Sequence, residues 1–107
     1  MSKQKRSKEK KFVVHLEGET EKYVSRYLKD IQKDRVRCMH WIRKKDFEKI
    51  EKFAHTLKGS GGAMGLERLS EFGRALEKAV RRKSLSAIKK WAGKISYYLD
   101  SLEVNYK

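Results

Sequence analysis

A chain of 107 residues with 38% apolar and 39% charged side chains and no proline can bury one core but not two of comparable size. It suits small amphipathic helices with wet outer faces better than a sheet covered on both sides. Its 28 lysines and arginines against 14 acids give a formal charge of +14, which speeds encounter with acidic surfaces of any kind without naming one.

Cys38 is the only cysteine, which excludes an intrachain disulfide and the paired-cysteine zinc spacings. It reads as a small core residue in a reducing compartment, because no basic cluster marks it as reactive. No apolar run nears the roughly 20 residues of a membrane helix, and "MSKQKRSKEKK" lacks the apolar stretch of a secretory signal. A soluble, cytoplasmic protein is expected.

Residues 1–11 hold six basic side chains and one acid and are expected to be a disordered, solvated basic arm. Residues 12–107 are expected to form a single domain. It starts with "FVVHLEG", a short extended lead-in closed by Gly18 that packs on the bundle. From Thr20 the apolar period becomes helical. Val24, Leu28, Ile31, Cys38 and Ile42, flanked by Tyr27 and Met39, predict a helix to about Lys45. Arg35 interrupts that stripe, either laying its stem on the core with its head in water or marking a bend. Asp46 is a candidate N-cap for a second helix with inner stripe Phe47, Ile50, Ala54, Leu57, Gly61 and Met64. Leu66, Leu69, Phe72, Leu76, Ala79 and Val80 form a third stripe. Ser84 caps a fourth helix with Leu85, Ile88, Ala92, Ile95, Leu99 and Leu102 inward. Trp91, Tyr97 and Tyr98 are expected as rim packing beside it. Short turns between such helices predict an all-α, up-and-down antiparallel four-helix bundle with a short N-terminal lead-in.

The stretch "AHTLKGSGGAMG" puts a histidine ahead of four glycines. A Walker loop needs Gly-Lys-Ser/Thr after its spacer, but Gly65 is followed by Leu66; the dinucleotide fingerprint breaks at Met64 and is preceded by a helical stripe rather than a strand. On a wheel of roughly 100° per residue, His55 points away from the core. Lys58, Gly59 and Gly62 stand three, four and seven residues beyond it on the same outward face. Glycine inside a helix costs about 1 kcal/mol relative to alanine, so Gly59, Gly61 and Gly62 together could cost roughly 3 kcal/mol, against a total stability of typically 5–15 kcal/mol. Gly61 faces inward and admits a neighbouring helix, whereas Gly59 and Gly62 leave a smooth patch on which another protein can approach the imidazole. Gly65 reads as a helix-terminating glycine. His15 and His40 lack such a neighbourhood and read as solvated surface residues. Glu51 and His55 could share a metal only with ligands on a facing helix, and none is found.

These residues resemble the signature of histidine-containing phosphotransfer (HPt) domains, His-x-x-Lys-Gly with a glycine ten residues after the histidine: here His55, Lys58, Gly59 and Gly65. "DFEKIEKFAHTLKG" resembles the family's approach to the histidine and "LERLSEFGRALE" its next helix, so the similarity spans most of residues 20–103 and leaves the basic arm outside.

The resemblance implies a four-helix bundle that carries phosphate between the aspartates of receiver domains in a two-component phosphorelay. His55 is then the phospho-acceptor on Nε2, Lys58 neutralises phosphate charge and Gly59 clears space for the receiver. Glu51, Lys52 and Gly62 are the expected partner contacts. The implied partners are response-regulator receiver domains and a hybrid sensor histidine kinase, with this chain a monomer. No cofactor or metal of its own is implied, since the receiver brings Mg²⁺. A neutral imidazole attacks an acyl phosphate without a dedicated base, and the chain lacks a nucleotide motif, so a stoichiometric carrier rather than an enzyme is expected. Two other readings stand beside this one. A basic nucleic-acid-binding protein would account for the +14 charge, but most of that charge is scattered, with lysines mixed among acids along the first three helices, and no groove-reading motif is present. An HPt-shaped interaction module without phosphotransfer would not require both His55 and Lys58.

Overall fold

The computed structural model describes residues 12–107; the basic arm expected over residues 1–11 lies outside them. Strand β1 (Phe12–Leu16) and a single 3-10 turn (Gly18–Thr20) lead into α1 (Glu21–Lys44), α2 (Phe47–Ala63), α3 (Glu67–Arg81), α4 (Leu85–Asp100) and strand β2 (Leu102–Tyr106). The helices pack in the ring α1, α2, α3, α4, with α4 returning to α1. The all-α, up-and-down four-helix bundle with its N-terminal lead-in is the architecture observed.

Helix boundaries follow from local chemistry. Asp46 accepts from the Lys49 backbone N–H at 3.3 Å and Ser84 from that of Ala87 at 3.3 Å, so both predicted N-caps satisfy a donor that the first turn leaves free. Three helices stop in the same way. In α2, Leu66 N–H donates to the Gly61 carbonyl at 2.8 Å and Gly65 N–H to that of Gly62 at 3.0 Å, a Schellman ending with Gly65 at φ 80°. The matching left-handed position is Lys45 (φ 57°) after α1 and Lys83 (φ 52°) after α3, where a side chain makes the conformation costlier.

One core joins the four stripes: Val24, Ile31 and Cys38 from α1, Ile50, Ala54 and Leu57 from α2, Leu69, Leu76, Ala79 and Val80 from α3, and Ile88, Ile95 and Leu99 from α4 are buried. Arg35 resolves as a half-buried stem whose guanidinium reaches Asp100 at 2.8 Å. Phe53, outside the predicted stripe, is also buried, against Trp41.

Three expectations change. Tyr98 is a core residue, 1% exposed, with its ring against Phe12 and Phe72, because β1 covers that side of α4; Tyr97 stays on the surface. Met39, placed beside the α1 stripe, is 58% exposed. Leu102 is not on the fourth helix. The helix ends at Asp100, and residues 102–106 form β2, parallel to β1 with Phe12 opposite Leu102 and Leu16 opposite Tyr106. The physical reason is backbone pairing: an extended lead-in on the bundle needs partners for its N–H and C=O groups, and β2 supplies them.

Candidate functional site

The second and third helices approach most closely where side chains are smallest. A Cβ on Gly73 would lie 2.6 Å from the Lys58 backbone nitrogen and 2.9 Å from the Ala54 carbonyl oxygen; one on Gly61 would lie 2.8 Å from the Ser70 nitrogen. Ser70 Oγ closes the seam by donating to the Lys58 carbonyl at 2.6 Å. This proximity lets a side chain as short as glutamate reach across from one helix to the other.

Glu77 does so from one turn beyond Gly73. Its carboxylate is 4% exposed and makes three contacts: Oε1 with Lys58 Nζ at 2.9 Å, and Oε2 with His55 Nδ1 at 3.0 Å and with an Arg81 guanidinium nitrogen at 3.2 Å. Arg81 in turn donates through Nε to Glu51 at 3.0 Å. The Lys58 hydrogen bond foremost, with those of His55 and the charge of Arg81, holds the Glu77 carboxyl below its ordinary value of 4.5 against the opposing effect of burial, so it is ionised at neutral pH. An ionised carboxylate only accepts. Nδ1 therefore carries the hydrogen, and in the neutral ring the lone pair lies on Nε2.

His55 itself stands in solvent, its side chain 69% exposed, as its direction on the wheel predicts. The glycines beyond it are helical rather than looped. A Cβ at Gly59 would meet nothing within 4 Å, and at Gly62 only Ser70 Oγ at 3.9 Å, so the helix surface beside the ring is bare. Glu51 and Lys52 share a shallow groove with His55, Thr56 and Arg81. The structure thus gathers all the sequence-predicted site residues on one face, with one difference: Lys58 is drawn inward onto Glu77, with its side chain 33% exposed. His15 and His40 lie on the surface, away from this face. Among the described residues, no group of three or more His, Cys, Asp or Glu side chains comes close enough to hold a metal.

Sequence reasoning missed Glu77, Arg81 and Gly73. A signal was present: Glu77 is a carboxylate set within the inner stripe of its helix, between Leu76 and Val80, with Arg81 four residues on. An acid in an apolar stripe is rare unless paired.

A histidine held out in solvent on an antiparallel helical bundle, with one ring nitrogen fixed from behind and the other free, defines a histidine-presenting surface rather than an enclosed catalytic cleft. A family model described as the Hpt domain matches residues 22–103, and the chain belongs to that family. Its members carry out histidine phosphotransfer in phosphorelays as carriers, without an ATP site of their own. No curated relative and no solved structure matches the chain. No helix among the described residues is long and apolar enough to cross a membrane.

Proposed function

We propose that His55 accepts a phosphoryl group from the aspartyl phosphate of one receiver domain and passes it to the aspartate of another. The observation that carries this reading is the one-sided hold on an exposed ring: Nδ1 is 3.0 Å from a buried carboxylate, while the side chain is 69% exposed, which leaves Nε2 for an incoming group. The Nε2 lone pair attacks phosphorus in line. The N–P bond forms as the bond from phosphorus to the carboxyl oxygen breaks, and that electron pair leaves with the aspartate. The positive charge that develops on the ring sits against Glu77. Transfer to the second receiver runs the same exchange in reverse.

Lys58 balances charge on the phosphoryl oxygens, and Gly59 and Gly62 give the receiver a surface without side chains to displace. Glu51 and Lys52 form part of the docking face. The chain contributes the nucleophile and its orientation; the receiver brings its acidic pocket and Mg²⁺, as phosphoryl transfer by positioning and charge neutralisation requires. A hybrid sensor histidine kinase is the expected upstream source. The +14 charge assists encounter with acidic receivers, and association rates fall with added salt.

The test is incubation with a phosphorylated receiver. Acid-labile, base-stable label is expected on this chain, with a ³¹P signal of the Nε2 isomer, and none in His55→Gln. Label that persists in the variant rejects the assignment.

A further inference from the structure

A second surface lies across the bundle from His55, where α1 and α4 meet. Between them lies a groove of about 320 Å³. Cys38, Phe53 and Ile95 form its buried floor, Met39 and Ile42 one bank, and the backbone of Gly93 the other. The apolar surface continues along α1, since Val36, one turn before Met39, is 63% exposed. Gly93 has no packing reason to be glycine: it lies mid-helix, where glycine costs about 1 kcal/mol, and an added Cβ would meet nothing within 4 Å. Its effect is to keep that bank open.

The rim is cationic. Arg35 is paired with Asp100, but Arg43 and Lys89 line the groove and form no ion pair among the described residues. Their charge selects the occupant. The chain's own first eleven residues carry six basic side chains and would be repelled. A second copy docking by two-fold symmetry would bring identical cations together. A seam between two helices offers no free strand edge but does accept the apolar stripe of a third helix.

We propose that the groove between α1 and α4 docks an acidic amphipathic helix of a partner protein, its apolar stripe on Met39, Ile42 and Gly93 and its carboxylates on Arg43 and Lys89. This does not depend on phosphate chemistry at His55. It gives the chain a tethering surface that leaves the histidine face free for receivers.

The probes are two four-turn helical peptides with the same leucine stripe at i, i+3, i+4 and i+7, one with glutamate and one with lysine at the remaining positions, titrated into the full chain by fluorescence anisotropy. The glutamate peptide is expected to bind at least about tenfold more tightly, a difference of about 1.4 kcal/mol. Gly93→Leu, which fills the groove, and the double variant Arg43→Glu/Lys89→Glu each lower its affinity by about tenfold or more, while His55→Gln leaves it unchanged. The double variant changes only surface side chains and decides the matter if Gly93→Leu does not fold. Equal affinity for the two peptides, affinity unaltered in the double variant, or binding of decanoate with no peptide binding would each overturn the proposal.

Discussion

Replacing Glu77 by glutamine keeps the shape of the residue and removes the charge on which three side chains converge. Its 2.9 Å contact with Lys58 joins a carboxylate only 4% exposed to a cation 33% exposed; hydrogen bonds to charged groups contribute about 1.5–3 kcal/mol. His55 and Arg81 are both more than 60% exposed, so solvent screens their contacts and they add little to stability. Glutamine retains one acceptor, which favours the low end, and Glu77→Gln is expected to cost about 1.5 kcal/mol at pH 7 in urea unfolding. The pH dependence has a definite sign. A carboxyl whose folded pKa lies below its ordinary 4.5 stabilises the fold fully above that value and loses the contribution as pH falls through the folded pKa. The gap between wild type and variant therefore closes below pH 4.5.

The amide of the variant can also turn its NH₂ toward Nδ1, which moves the ring hydrogen to Nε2 and hides the nucleophilic lone pair. At about 1.4 kcal/mol per decade of rate, phosphotransfer falls about tenfold, and ¹⁵N shifts of the imidazole report the changed tautomer. A stability gap under about 0.5 kcal/mol at pH 7, or one that persists undiminished at pH 3, would refute the charge-based account.

Gly59→Ala should raise stability by about 0.5–1 kcal/mol, because it improves helix propensity and its Cβ meets nothing within 4 Å; Gly59→Phe should fold yet slow transfer from a phosphorylated receiver. Gly73→Ala puts a Cβ 2.6 Å from backbone and should cost about 2–3 kcal/mol while separating Glu77 from His55, seen as loss of the ¹⁵N signature. Lys83→Gly relieves a side chain at φ 52° and should stabilise by about 1 kcal/mol in the same unfolding assay. Burial foremost, with Asp34 nearby, pushes the Cys38 thiol up to about 11, so a disulfide reagent at pH 8 should label it roughly a hundredfold more slowly than free cysteine and at full rate only in urea.

The direction of His55 was legible because it depends on local periodicity alone: once Phe47, Ile50, Ala54 and Leu57 are buried, residue 55 faces outward. The caps at Asp46 and Ser84 and the ending at Gly65 are equally local. Glu77 was not legible, because its partner lies on another helix and is reached only through the close approach that Gly73 permits. Sequence shows an acid in a stripe; it does not show what stands opposite. Leu102 misled for a related reason. It continues the three-four spacing of α4 by coincidence, while pairing with the distant strand at Phe12 overrides it. Tyr98 became core for the same cause, since β1 closes over it.

The charge balance of the site explains how such a carrier can release what it accepts. A clamp of free cations would hold phosphate tightly, and an intermediate bound too well is a trap rather than a relay. Here Lys58 and Arg81 already face Glu77 and Glu51 at 2.9–3.2 Å, so either of them reaches a phosphoryl group on Nε2 only by leaving a carboxylate. On the proposed reading the loss is repaired from within: as Lys58 turns to the phosphoryl oxygens, the ring's new positive charge at Nδ1 takes its place against Glu77. Glu77 keeps two cationic partners before and after transfer, Arg81 and then either Lys58 or the ring, so the buried carboxylate is not left short of a cation in either direction. Lys58→Ala removes the exchangeable partner and leaves Glu77 facing only the ring and Arg81, so it should slow transfer in both directions while leaving His55 exposed.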